Sequence, residues 1–209
     1  MENRRQFIRR VAGIFSGISV LSGLFPPALR SLFGAGSMGR DNQGNMSSGP
    51  GNPRKTQVTP LKSFEVMGKT DIEVNLDQWR LKIEDKYGAI FEYSYNEILK
   101  LPPVERKIIL VCPGFFENHG FWKGFSPGKI IKRLGLDKGV EKVFISGLNG
   151  KKEKKAKFSI DSVLNDHVFL AYEVNRETLP VRNGFPLRAV AENKMGSYWI
   201  KYVNKITLV

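Results

Sequence analysis

The chain has 209 residues, 41% of them hydrophobic and 25% charged, with a formal net charge of +13. That size and composition suit one domain with extensions and support a real hydrophobic core. The charge excess lacks the aromatic-interleaved basic stripe of a nucleic-acid binder, so no nucleic-acid partner is expected. A single cysteine, Cys112, excludes an intramolecular disulfide.

Much of the positive charge is local. Arg4, Arg5, Arg9 and Arg10 fall in the first ten residues, and no charge follows until after Leu29. The uncharged stretch is short and rich in Gly and Ser, which suits an export signal better than a spanning helix of about 20 strongly apolar residues. Asn3-Arg4-Arg5-Gln6-Phe7-Ile8-Arg9 resembles the twin-arginine signal, with Asn3 where Ser or Thr is commoner. That resemblance implies recognition by the twin-arginine translocase and folded export to the periplasm or another extracytoplasmic space. Gly34-Ala35-Gly36 is a poor cleavage site, so residues 1–35 read as a signal peptide or as a retained anchor. Residues 36–56 are Gly, Ser, Asn and Pro with almost nothing apolar, and read as a flexible linker. The folded domain is expected over residues 57–209.

Within it, Trp79-Arg-Leu-Lys-Ile-Glu84 alternates apolar and polar residues and predicts a half-buried strand. Ser94-Tyr-Asn-Glu97 is a capping box opening a short helix over 96–100, ended by Pro102-Pro103. The apolar run 108–111 predicts a buried strand, followed by a ring-rich loop. A short helix is expected over 128–134 and a strand over 142–146. The lysines of 151–157 read as a solvated loop, with a docking patch for an acidic partner as the alternative. One helical turn at 161–165, strands at 167–174 and 187–191, and a β-rich end over 198–209 complete a mixed α+β domain in which β dominates.

By residue type alone, Cys112 is open to three readings: core residue, nucleophile or metal ligand. His119 and His167 are the available histidines, and their spacing matches no standard zinc pattern. Near the C-terminus, Gly196 and Ser197 allow close backbone approach to a phosphate, and Arg188 and Lys201 offer charge to neutralise it.

Taken in order, these segments resemble the sulfite-oxidase-type molybdopterin-binding domain. The resemblance rests on the apolar strand ending in Cys112, Trp122-Lys-Gly124, Leu170-Ala-Tyr-Glu-Val-Asn175, Gly184-Phe-Pro-Leu-Arg188, and Gly196 to Lys201. It is greatest for the small exported bacterial members and covers residues 70–209. It implies a β-rich mixed single domain holding molybdenum and molybdopterin, with Cys112 as the protein's metal ligand and catalytic centre. It further implies that Arg188 and Lys201 contact the pterin, that Gly196, Ser197 and Tyr198 form the phosphate-side loop, and that Trp122 walls the site. Lys123 and His119, by loop position, are candidates to face the substrate. The implied activity is two-electron oxygen-atom transfer on a small-molecule substrate, with a haem-bearing membrane subunit or a cytochrome as electron partner. The sequence departs from the family at Pro113-Gly-Phe-Phe after the cysteine, at Asn183, and in having no match for the active-site Tyr of true sulfite oxidases. These departures bear on the substrate, sulfite in particular. The other reading is an exported, metal-free binding module of the same fold.

Overall fold

The computed structural model describes residues 58–209. The expected signal (1–35) and linker (36–56) lie outside the described residues. Among the described residues, ten strands form two five-stranded sheets. In chain order the strands are β1 (Leu81–Glu84), β2 (Ile90–Tyr93), β3 (Pro103–Cys112), β4 (Phe116–Phe125), β5 (Lys142–Asn149), β6 (Lys152–Ser159), β7 (Val168–Val174), β8 (Glu177–Thr178), β9 (Arg188–Ala191) and β10 (Val203–Leu208). One sheet runs β2-β1-β10-β5-β6, with β1 and β10 parallel. The other runs β3-β4-β7-β8, with β9 also paired to β7. The fold is β-rich α+β, as expected from the sequence.

The short helices follow local capping chemistry. In α1 (Tyr95–Leu99) the Ser94 hydroxyl accepts from the Glu97 N–H, and the Glu97 carboxylate accepts from the Ser94 N–H at 2.8 Å. α2 (Pro127–Arg133) starts with Ser126 as cap and Pro127 at its first position, and ends on Lys132 and Arg133. α3 (Ile160–Leu164) is capped by Ser159.

Strand β1 buries Leu81 and Ile83 and exposes Lys82, the alternation its sequence predicts. Strand β7 is buried on both faces, which explains its unbroken apolar run. One core joins both sheets, including Ile83, Ile145 and Ile206 from the first and Leu110, Trp122 and Leu170 from the second.

Two expectations are corrected. The ring-rich segment after Cys112 is not a loop. Only residues 113–115 turn, and β4 then pairs with β3 along its whole length. The inward positions of β4 are Asn118, Gly120, Trp122 and Gly124, so small and polar residues hid its period of two. The lysine run is likewise a strand, β6, paired with β5 from Lys142↔Ser159 to Asn149↔Lys152. Only Ala156 and Phe158 in it are buried. Its pattern was masked by charge on both faces.

Segment 58–69 lies along this second sheet. Asn118 clasps it through a bond from its Nδ2 to Glu65 O (2.8 Å) and one accepted from Glu65 N (3.2 Å). Phe64 is buried against Trp122, with ring centroids 5.9 Å apart.

Candidate molybdopterin site

Strand β3 delivers Cys112 to the rim of a cavity of about 370 Å³. Across it, β9 starts with Arg188, and the segment before β10 contributes Lys201. These two are brought together by backbone bonds from Ala189 N to Ile200 O (2.8 Å), from Tyr202 N to Gly184 O (3.1 Å) and from Val203 N to Leu187 O (2.8 Å). Gly184 makes the approach possible: its φ is +108°, and a Cβ there would lie 2.8 Å from Lys201 Cβ. Gly147 of β5 does the same on the other side, where a Cβ would fall 2.1 Å from Lys201 O. Gly196 and Ser197 complete the lining from a short 3-10 turn, Gly196–Tyr198. A Cβ on Gly196 would be 3.7 Å from Cys112 Cβ, so this turn packs on the cysteine itself.

Arg188 is the electrostatic centre of the cavity. It is 5% exposed, and its guanidinium lies 5.7 Å from the Trp122 ring and 5.8 Å from the Trp199 ring. Nη1 donates to Asn183 O at 2.9 Å, while Nε is buried without a hydrogen-bond partner among the described residues. Burial draws its pKa down to about 10. Lys201 is drawn down to about 8, first by burial and then by the charges of Arg188, Lys154 and Arg182. Its ammonium donates to the carbonyls of Lys69 and Arg182. A buried guanidinium with an orphaned N–H, beside a lysine crowded by like charge, is a site that favours an anion.

The cavity therefore gathers Cys112, Arg188, Gly196, Ser197 and Lys201 from four separate parts of the chain. Trp122 and Tyr198 do not line it. Trp122 is fully buried beneath Arg188, donates from Nε1 to Ile108 O (3.1 Å), and meets Trp199 edge-on at 5.2 Å. It supports the site's floor, whereas the sequence placed it in the wall. Tyr198 packs against Phe158 at 5.9 Å and under the Lys194 ammonium. Lys123 and His119 also lie away from the cavity. On β4 they alternate with the inward Asn118, Gly120 and Trp122 and face the opposite side of the sheet. Lys123 there pairs with Glu173 at 3.2 Å, and His119 approaches Glu117 at 3.9 Å. His167 pairs with Glu192 at 2.9 Å and does not line the cavity either.

Sequence reasoning missed Met67, Lys69, Lys154 and Tyr202, which also line the cavity. The Cys112 thiol donates to Met67 Sδ at 3.1 Å. Nothing local in the sequence marks Met67, because its position depends on the clasp at Asn118. Lys154 carried a signal: it shares strand parity with the buried Ala156 and Phe158.

The cavity thus presents one soft thiol, two buried or half-buried cations and a glycine-serine turn. That donor set fits a phosphorylated, sulfur-bearing metal cofactor. The comparison with protein families agrees. The oxidoreductase molybdopterin binding domain family matches residues 67–209, and the chain belongs to it. Domains of this family bind molybdopterin with molybdenum, and the residues lining the cavity fit that cofactor. Among solved structures, the chain is similar to the sulfane dehydrogenase SoxCD from Paracoccus pantotrophus, at 19% identity and a TM-score of 0.57. The match covers 66% of this chain and 39% of that one, so this chain spans well under half the length of that relative.

Proposed function

We propose that this chain is an exported oxidoreductase that transfers an oxygen atom to or from a small substrate and exchanges two electrons with a haem-bearing partner. The observation that carries this reading is the convergence of Cys112 and the unsatisfied guanidinium of Arg188 on one cavity. When bound, molybdenum supplies two-electron redox and oxygen-transfer chemistry. Overall, oxidation of a substrate by oxygen-atom transfer would take the oxygen from water and release two protons and two electrons.

The protein's own residues hold and tune. Cys112 provides the thiolate, a soft donor suited to a sulfur-bound metal. Arg188, Lys201 and the turn at Gly196 and Ser197, which line the cavity, would hold the anionic pterin. Trp122 and Trp199 fix the guanidinium from beneath, so its orientation is set before the ligand arrives. Folded export is supported by the twin-arginine resemblance of residues 3–9. A cofactor inserted before export also accounts for a lone cysteine in an oxidising compartment.

The test is molybdenum and released pterin per chain, measured on full-length protein from a host that makes molybdopterin, with Cys112→Ala alongside. Near-stoichiometric metal that the variant loses supports the reading. Well-folded wild type with neither metal nor pterin sinks it and leaves the binding module.

A further inference from the structure

Strand β6 stands at the edge of its sheet, next to the cavity. Over residues 151–157 it and its leading turn carry five lysines and one glutamate. Lys151, Lys152, Lys154, Lys155 and Lys157 are all exposed. Among the described residues none of the five forms an ion pair with a carboxylate. The nearest stabilising contact is Lys155 over the Phe144 ring at 5.4 Å.

Edge strands often bear lysine simply to block pairing with another sheet. That explanation falls short here. The opposite edge of the same sheet, β2, reads Ile-Phe-Glu-Tyr and has no lysine. One well-placed charge is enough for edge protection, whereas β6 carries lysines on both faces. The cavity-side face includes Lys154, which lines the same cavity as Cys112. Its charge is felt inside, at Lys201. The positive field is thus continuous from the sheet edge to the mouth of the site.

We propose that the β6 edge, Lys151 to Lys157, is the docking surface for an acidic electron-carrying protein. This rests on the oxidoreductase reading above, since a redox centre in a cavity needs a carrier brought to its mouth. An unpaired basic surface there steers an acidic partner and fixes its orientation. The charge is of the sign that attracts an acidic carrier and repels a basic one.

The experiment uses full-length holoprotein and two probe carriers, an acidic cytochrome b5 and a basic cytochrome c. Association rates are measured by surface plasmon resonance across a salt series. The key variant reverses Lys151, Lys152, Lys155 and Lys157 to Glu and leaves Lys154 intact. A matched control reverses Lys62, Lys100, Lys132 and Lys138, which are exposed elsewhere. The expected result is association with the acidic probe only, slowed at least ~10-fold at low salt by the β6 variant and little by the control. Equal slowing by both variants, or no slowing by the first, overturns the proposal. So does β6-dependent binding to phosphatidylserine vesicles without binding to the acidic probe, which would assign the edge to a membrane surface. Pterin content of the same wild-type sample reports separately on the oxidoreductase reading.

Discussion

Replacing Arg188 by Met separates the site's affinity from the protein's stability. The guanidinium is 5% exposed and, among the described residues, has one hydrogen bond, to Asn183 O at 2.9 Å, and leaves Nε unpaired. Burial lowers its pKa to about 10, a drop that corresponds to roughly 3 kcal/mol for keeping the charge there. Because the folded pKa lies below the unfolded one, this cost is fully present at neutral pH and fades only as pH rises above about 10. Met would escape that cost but lose a charged hydrogen bond, about 1.5–3 kcal/mol, and two cation–π contacts, to Trp122 and Trp199, of about 0.5–1 kcal/mol each. These effects nearly cancel. Cofactor-free Arg188→Met should therefore unfold in urea within about 1 kcal/mol of wild type, whereas breaking a buried, fully paired charge costs about 3–5 kcal/mol. In a molybdopterin-producing host, the same variant should lose most of its pterin. A stability loss above about 3 kcal/mol in the cofactor-free protein, or undiminished pterin, would refute the claim that Arg188 waits for an anion.

Two further outcomes follow from the geometry. Gly147→Ala should lower the melting temperature by roughly 4–10 °C and reduce pterin content, because its Cβ would fall 2.1 Å from Lys201 O, a backbone atom that cannot swing aside. Lys201, drawn down to about 8 by burial, is a strained cation at neutral pH. Through this group the stability of the cofactor-free protein should rise with pH above about 8, where the unfolded chain binds more protons. Titration calorimetry should show phosphate affinity falling through the same range, and Lys201→Met should remove that dependence.

Several elements of this protein follow from sequence alone. The Ser94 capping box, the alternation of β1 and the unbroken apolar run of β7 are local patterns, fixed by neighbours a few residues away. The family resemblance likewise named Cys112, Arg188, Gly196, Ser197 and Lys201, all of which line the cavity. Other elements were hidden because their inward positions carry small or polar residues. Strand β4 faces the core with Asn118 and two glycines, and β6 is charged on both sides. Hydrophobic period, the strongest local signal, fails in both places.

Tertiary structure alone decided the rest. Trp122 moved from wall to floor because β4 is a strand whose even-numbered residues face inward, and the same parity sends His119 and Lys123 to the opposite face. Met67 reaches Cys112 because a buried asparagine clasps a segment more than fifty residues earlier in the chain. Sequence spacing holds no information about such contacts. They arise where long-range strand register and a single side-chain amide bring distant backbone together, and only there does a list of residues become a site.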